Sequence, residues 1–100
     1  MKVYDNGCDN VVAESIDDAW AVWCETTGES RADYDDMEWG ELPDDELLTI
    51  RYEDGDYANL YNERPDGATI KDDGSVELVT ATHSAWAKLV RRGWLCSSEY

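Results

Sequence analysis

Phenylalanine is missing from this chain, histidine occurs once, and lysine occurs only as Lys2, Lys71 and Lys88. Without Phe, the aromatic part of any core falls to five Trp and six Tyr. Each of those rings brings an N–H or O–H that needs a partner when buried. A single His and three scattered Cys (Cys8, Cys24, Cys96), with no CxxC pair, provide no zinc-ligand spacing. Nor do they supply a base for a nucleophile: His83 falls at the start of a predicted helix and reads as a surface residue, while Cys24 and Cys96 read as buried thiols. Glycine-rich phosphate loops are absent. With 24 Asp and Glu in 100 residues, carboxylate pairs are unavoidable and carry no catalytic signal. The chain therefore reads as a non-enzyme without a cofactor.

No apolar run approaches the roughly 18 residues of a membrane-spanning helix. The N-terminal MKVYDNGCDN also lacks the apolar segment of a signal peptide. The expectation is a cytoplasmic protein with reduced thiols.

Positive charge is the scarcest resource. Eight Lys and Arg face 24 acids, for a net charge of −16. A 100-residue domain has a radius of gyration of about 13 Å, and duplex DNA of the same span carries about 20 phosphates. The chain thus approaches the charge of an equally long piece of DNA. Nucleic acid and anionic membranes are repelled by such a body, and basic protein surfaces are attracted. Disorder does not follow from the charge, because 42% of the residues are hydrophobic, enough for one folded domain over residues 1–100.

Residues 1–4 and 11–14 read as short strands around the turn-rich DNGCDN. Ser15 is a good helix N-cap, with Asp17 and Asp18 in the first turn, where the helix dipole favours anions. Ile16, Ala19, Trp20, Trp23 and Cys24 recur at helical spacing, and Gly28 closes the helix. A short helical turn fits residues 34–39. LLTIRYE (47–53) reads as a strand followed by the hairpin turn Asp54-Gly55, with 57–61 returning. After Pro65-Asp66-Gly67, residues 68–71 and 75–80 form a hairpin across Asp72-Asp73-Gly74, and Val76, Leu78 and Thr80 share one side. Thr82 caps a second helix over 83–92, with Ala85, Trp86, Leu89 and Val90 as its stripe and Gly93 as its end. WLCSS reads as a last strand. The expected fold is α+β, with two helices packed on one face of a mainly antiparallel sheet of four to six strands.

The stretch ADYDDMEWGELPDDE (residues 32–46) holds eight carboxylates and no Lys or Arg. A calcium loop does not fit, because Met37 occupies the third ligand position and Glu38 replaces the turn glycine. The stretch reads instead as a partner-binding face. Asp33, Asp35, Asp36, Glu38, Glu41, Asp44, Asp45 and Glu46 would stand in for phosphates, extended by Asp54 and Asp56. Tyr34 and Trp39 would be anchors for Arg side chains, with Tyr52 and Tyr57 interleaved nearby; the sequence leaves open whether Trp39 is exposed or folds back into the core, which would remove it as an anchor. The bland alternative is a solvated or salt-adapted face, since halophile proteins also carry high negative charge.

The segments VVAESIDDAWAVWCETTGE and RRGWLCSSEY resemble small bacteriophage proteins with an Ala-Glu-Ser strand-to-helix start and a Gly-Trp/Phe-Leu-Cys-Ser C-terminus. That group carries no assigned activity, and the acidic middle is unmatched. In size and charge the chain is also similar to phage DNA-mimic inhibitors, among them anti-CRISPR and anti-restriction proteins. The resemblance implies a phage protein in the cytoplasm of a bacterial host, binding the basic nucleic-acid surface of a defence complex. A phage accessory or structural protein, and an inhibitor of another basic host protein, remain open beside it.

Overall fold

Two N-terminal strands, β1 (Lys2–Asp5) and β2 (Asp9–Ala13), fold back on each other with Val3 opposite Val12 and Tyr4 opposite Val11. The turn between them is held by Asn6, whose Oδ1 accepts from the N–H groups of Cys8 at 2.9 Å and Asp9 at 2.7 Å. Gly7 sits there at φ +98°, a conformation that a side chain would strain. This computed structural model describes residues 1–53, 63–74 and 76–97.

Ser15 caps helix α1 (Ile16–Thr27) by accepting from the Asp18 N–H at 3.1 Å. Gly28 ends it in the left-handed conformation, its N–H donating to Cys24 O at 2.9 Å. A single 3-10 turn (Arg31–Tyr34) and a two-residue strand β3 (Gly40–Glu41) follow. Then come β4 (Leu47–Glu53), β5 (Thr69–Asp73), β6 (Val76–Thr82), helix α2 (His83–Val90) and β7 (Gly93–Ser97). The strands form two antiparallel sheets, one ordered β3-β1-β2-β7 and the other β4-β6-β5.

The first sheet is covered on both faces. Alternation along β1 and β2 sends Tyr4, Val11 and Ala13 toward Ala19, Trp20, Val22 and Trp23 of α1. It sends Val3 and Val12 the other way, toward Trp86 and Ala87 of α2 and Ile50, Tyr52 and Val79 of the second sheet. A register shift between Asn10 and Val11 breaks the alternation of the paired strand β7. Leu95 and Cys96, though adjacent, both join the second core, and Trp94 packs on the first. The result is α1, the first sheet, and a third layer of α2 with the second sheet.

The α+β class holds, but α1 and α2 lie on opposite faces of the first sheet rather than together on one face, and the strands divide into two sheets, because β4 pairs with β6 and leaves β1 to the short β3. Several local details also depart from the periodicity. Val22 is buried and Ile16 half-exposed, which rotates the buried stripe of α1 by part of a turn. Cys24 is only half-buried. Val76, Leu78 and Thr80 do share a side, but the inward one belongs to Val79 and Ala81, set by the pairing of Ile50 with Val79. Helix α2 stops at Val90, two residues short of expectation. Arg91 adopts φ +70° and ψ −67°, and the Arg92 N–H donates to Val90 O at 2.9 Å, which closes a γ-turn.

Candidate functional site

The acidic stretch, residues 32–46, is a strap tied down at several points. Its start follows the 3-10 turn, where the Arg31 guanidinium lies 4.9 Å from the Trp20 ring centroid and reaches Asp17 at 3.1 Å. Its middle pairs with β1, Glu41 opposite Tyr4 and Gly40 opposite Asp5, and the Leu42 N–H donates to Val3 O at 2.9 Å. Its end is held at the start of α2. There the N–H groups of His83 and Ser84 donate to Glu46 O at 3.0 Å and Asp44 O at 3.1 Å.

Apolar side chains of the strap point inward. Trp39 is 7% exposed and packs edge-on against Trp20, with centroids 6.1 Å apart. Tyr34 is half-buried and edge-on to Trp23 at 5.0 Å. The Met37 sulfur accepts from Asn6 Nδ2 at 3.2 Å. The expectation of Trp39 as an anchor is therefore wrong: the hydrophobic payload of its ring is larger inside than any surface role leaves room for. Tyr34 offers at most its rim. Tyr52 is also internal, 6% exposed, with its ring 6.2 Å from that of Trp86. Asp54, Asp56 and Tyr57 lie outside the described residues.

Carboxylates of the strap point outward. Asp33, Asp35, Asp36, Glu38, Glu41, Asp44, Asp45 and Glu46 are all exposed. Asp44 pairs with Lys2, and Glu41 accepts from the Tyr4 hydroxyl at 3.4 Å. Burial, with Glu41 beside it, raises the Tyr4 hydroxyl above the usual tyrosine pKa and keeps it a donor. Among the described residues the other six have no hydrogen-bond or ion-pair partner. Two of the arginines are held by carboxylates elsewhere. Arg92 takes Asp18 at 2.7 Å and Glu25 at 3.4 Å on α1, and Arg64 takes Glu77 on β6. The Arg92 guanidinium, with the Glu14 N–H behind it, holds the Asp18 carboxyl below the ordinary carboxylate range.

His83 departs from its expected surface position. It is 3% exposed, and its Nδ1–H donates to Pro43 O at 2.7 Å, so it fastens the strap to α2. No sequence signal distinguishes this from a first-turn surface histidine, because the acceptor is 40 residues away.

Among the described residues no three His, Cys, Asp or Glu converge to hold a metal ion, and no helix is long and apolar enough to cross a membrane. The geometry offers one chemically distinctive surface, a ridge of uncompensated carboxylates on a fixed backbone. In comparison with known proteins, neither a family model, nor a curated protein, nor a solved structure matches this chain at a significant level.

Proposed function

We propose that this protein binds the basic, nucleic-acid-binding surface of another protein, with the strap taking the place of the phosphate backbone. The supporting observation is the division of labour within residues 32–46: the aromatics pin the backbone to α1, and six carboxylates face outward without a counter-cation among the described residues. Charges on a tied backbone lose little conformational freedom on binding, and exposed charges steer association. A phage-encoded inhibitor acting in a bacterial host cytoplasm, directed at a defence complex, is the specific form of this reading. It is a binding function rather than an enzymatic one.

With Trp39 withdrawn into the core, binding would depend on charge and on the rim of Tyr34, not on a buried aromatic hot spot. Affinity should then fall steeply with salt. The same withdrawal favours a second reading, that of an accessory protein whose acidic ridge serves solvation.

Capture of basic complexes from host lysate, comparing wild type with the folded variant Asp33→Asn, Asp35→Asn, Asp36→Asn, Glu38→Gln, separates the two. A nucleic-acid-binding complex retained by wild type, lost by the variant and displaced by DNA supports mimicry. Equal capture by both, or none by either, supports the solvating ridge.

A further inference from the structure

Asn6 and Gly7 form the one Asn-Gly dipeptide of the chain, since Asn10, Asn59 and Asn62 are followed by Val, Leu and Glu. An Asn side-chain amide can be attacked by the next backbone nitrogen, and glycine leaves that nitrogen unshielded because it has no side chain. Here the turn between β1 and β2 engages both polar atoms of the Asn6 side chain. Its Oδ1 accepts from the N–H groups of Cys8 and Asp9 at 2.9 and 2.7 Å, and its Nδ2 donates to the Met37 sulfur at 3.2 Å. The attacking group is engaged too, since the Gly7 N–H donates to Asp5 Oδ1 at 3.0 Å. Asn6 is half-buried, while Gly7 and Cys8 are exposed, so water reaches the turn.

Of these four contacts, three stay within the hairpin and the fourth ties it to the acidic strap. Met37 is half-buried and packs on the cluster that contains Trp20, Trp23 and Trp39. The position of the strap therefore bears on the freedom of the Asn6 amide.

We propose that Asn6 is a deamidation site that the fold holds closed, with the strap as one of its clasps. The Gly7 nitrogen gives its proton to water or hydroxide, and its electron pair bonds to Asn6 Cγ. The Cγ–Nδ2 bond then breaks, Nδ2 takes up a proton and leaves as ammonia, and a succinimide ring joins the two residues. Water adds to one of the two ring carbonyls and that C–N bond breaks, which leaves aspartate or isoaspartate. Nothing is oxidised or reduced, and water is the co-reactant.

Ring closure requires Cγ to swing onto the Gly7 nitrogen, which gives up the three side-chain hydrogen bonds. Each is worth a factor of about 2 to 10, so the folded turn should react about 10- to 1000-fold more slowly than the unfolded chain. Both products lack the Nδ2 donor, so the tie to Met37 is lost. Aspartate keeps an oxygen for the Cys8 and Asp9 N–H groups but adds a carboxylate between Asp5 and Asp9. Isoaspartate inserts a methylene into the backbone of the turn. The inference stands apart from the proposed function, because it concerns purified protein alone.

Purified wild type, folded or in urea, is incubated in mildly alkaline buffer, and mass spectrometry follows the conversion of amide to acid at each Asn. Enzymatic methylation counts the isoaspartate. Asn6 should react ahead of the other three Asn, and about tenfold or more slowly in folded protein than in urea. Met37→Leu keeps the apolar bulk and removes the sulfur acceptor. With its fold checked by circular dichroism, this variant should react about twofold or more faster than wild type when folded, and at the same rate in urea. Equal rates for folded and unfolded wild type, first reaction at another Asn, or a folded Met37→Leu protein no faster than wild type would each overturn the clasped site.

Discussion

Trp39 meets Trp20 edge to face, centroids 6.1 Å apart at 72°, and this contact joins the acidic strap to helix α1. Trp20 in turn meets Trp23 at 87°, and Trp23 meets Tyr34 at 77°. Four aromatic rings, two from the helix and two from the strap, form one continuous edge-to-face cluster. Each such pair adds about 0.5–1.5 kcal/mol beyond the area it buries.

Removing the Trp39 ring should therefore detach the strap as well as open a cavity. Trp39→Ala is expected to lower unfolding free energy by about 3–5 kcal/mol in urea titration. Trp39→Phe should cost much less than that, because the buried Trp39 Nε1–H has no partner and its removal relieves a desolvation cost of about 1–3 kcal/mol. Equal losses in the two variants would contradict the packing role.

The outward carboxylates are expected to be neutral or adverse for stability. Replacing Asp33, Asp35, Asp36 and Glu38 by their amides reduces the net charge from −16 to −12, that is, by four. Thermal unfolding should move upward by a few degrees at about 0.01 M salt, and the difference from wild type should shrink at about 1 M, where the Debye length is about 3 Å. A lower melting temperature at low salt would show that these groups hold the fold.

Tyr52 predicts the alkaline limit. Burial, the leading cause, pushes its pKa up to about 12, while Arg64, 4.0 Å from the ring centroid, pulls the other way. The folded protein favours the neutral phenol, so this contribution is complete below the ordinary tyrosine pKa of about 10. It is lost as pH rises from there through the folded value. Urea titrations between pH 8 and the alkaline range should show wild type losing stability more steeply than Tyr52→Phe. At neutral pH the variant should lose about 1 kcal/mol, for the hydrogen bond to Glu63 O at 3.3 Å.

Arg91 predicts a glycine preference. At φ +70° a side chain is strained, and the space around a Cβ does not alter that. Arg91→Gly should be more stable than Arg91→Ala by about 1 kcal/mol in urea titration. The reverse order would mean that the γ-turn is not retained.

Local chemistry in this chain was legible where it acts over a few residues. The Ser15 cap, the Gly28 stop and strand β4 over 47–53 lie where caps, turn residues and alternation place them. The candidate site was half legible. Its carboxylates are exposed, as charge demands, but the same stretch hides Trp39 because Trp20 and Trp23, 16 and more residues earlier in the chain, leave an aromatic surface that needs covering. Periodicity cannot report that, since a strap pinned at single residues has no period. His83 and the split of Arg91 from Arg92 were invisible for a similar reason, their partners being Pro43 and Asp18.

Composition alone determined the net charge and the reliance of the core on Trp and Tyr. These follow from sums over residues, and no folding can alter them. Tertiary structure decided which aromatic rings are buried and which carboxylates keep a cation. Those outcomes depend on contacts between residues far apart in the chain, where the gain from burying a ring outweighs the polarity of the segment that carries it.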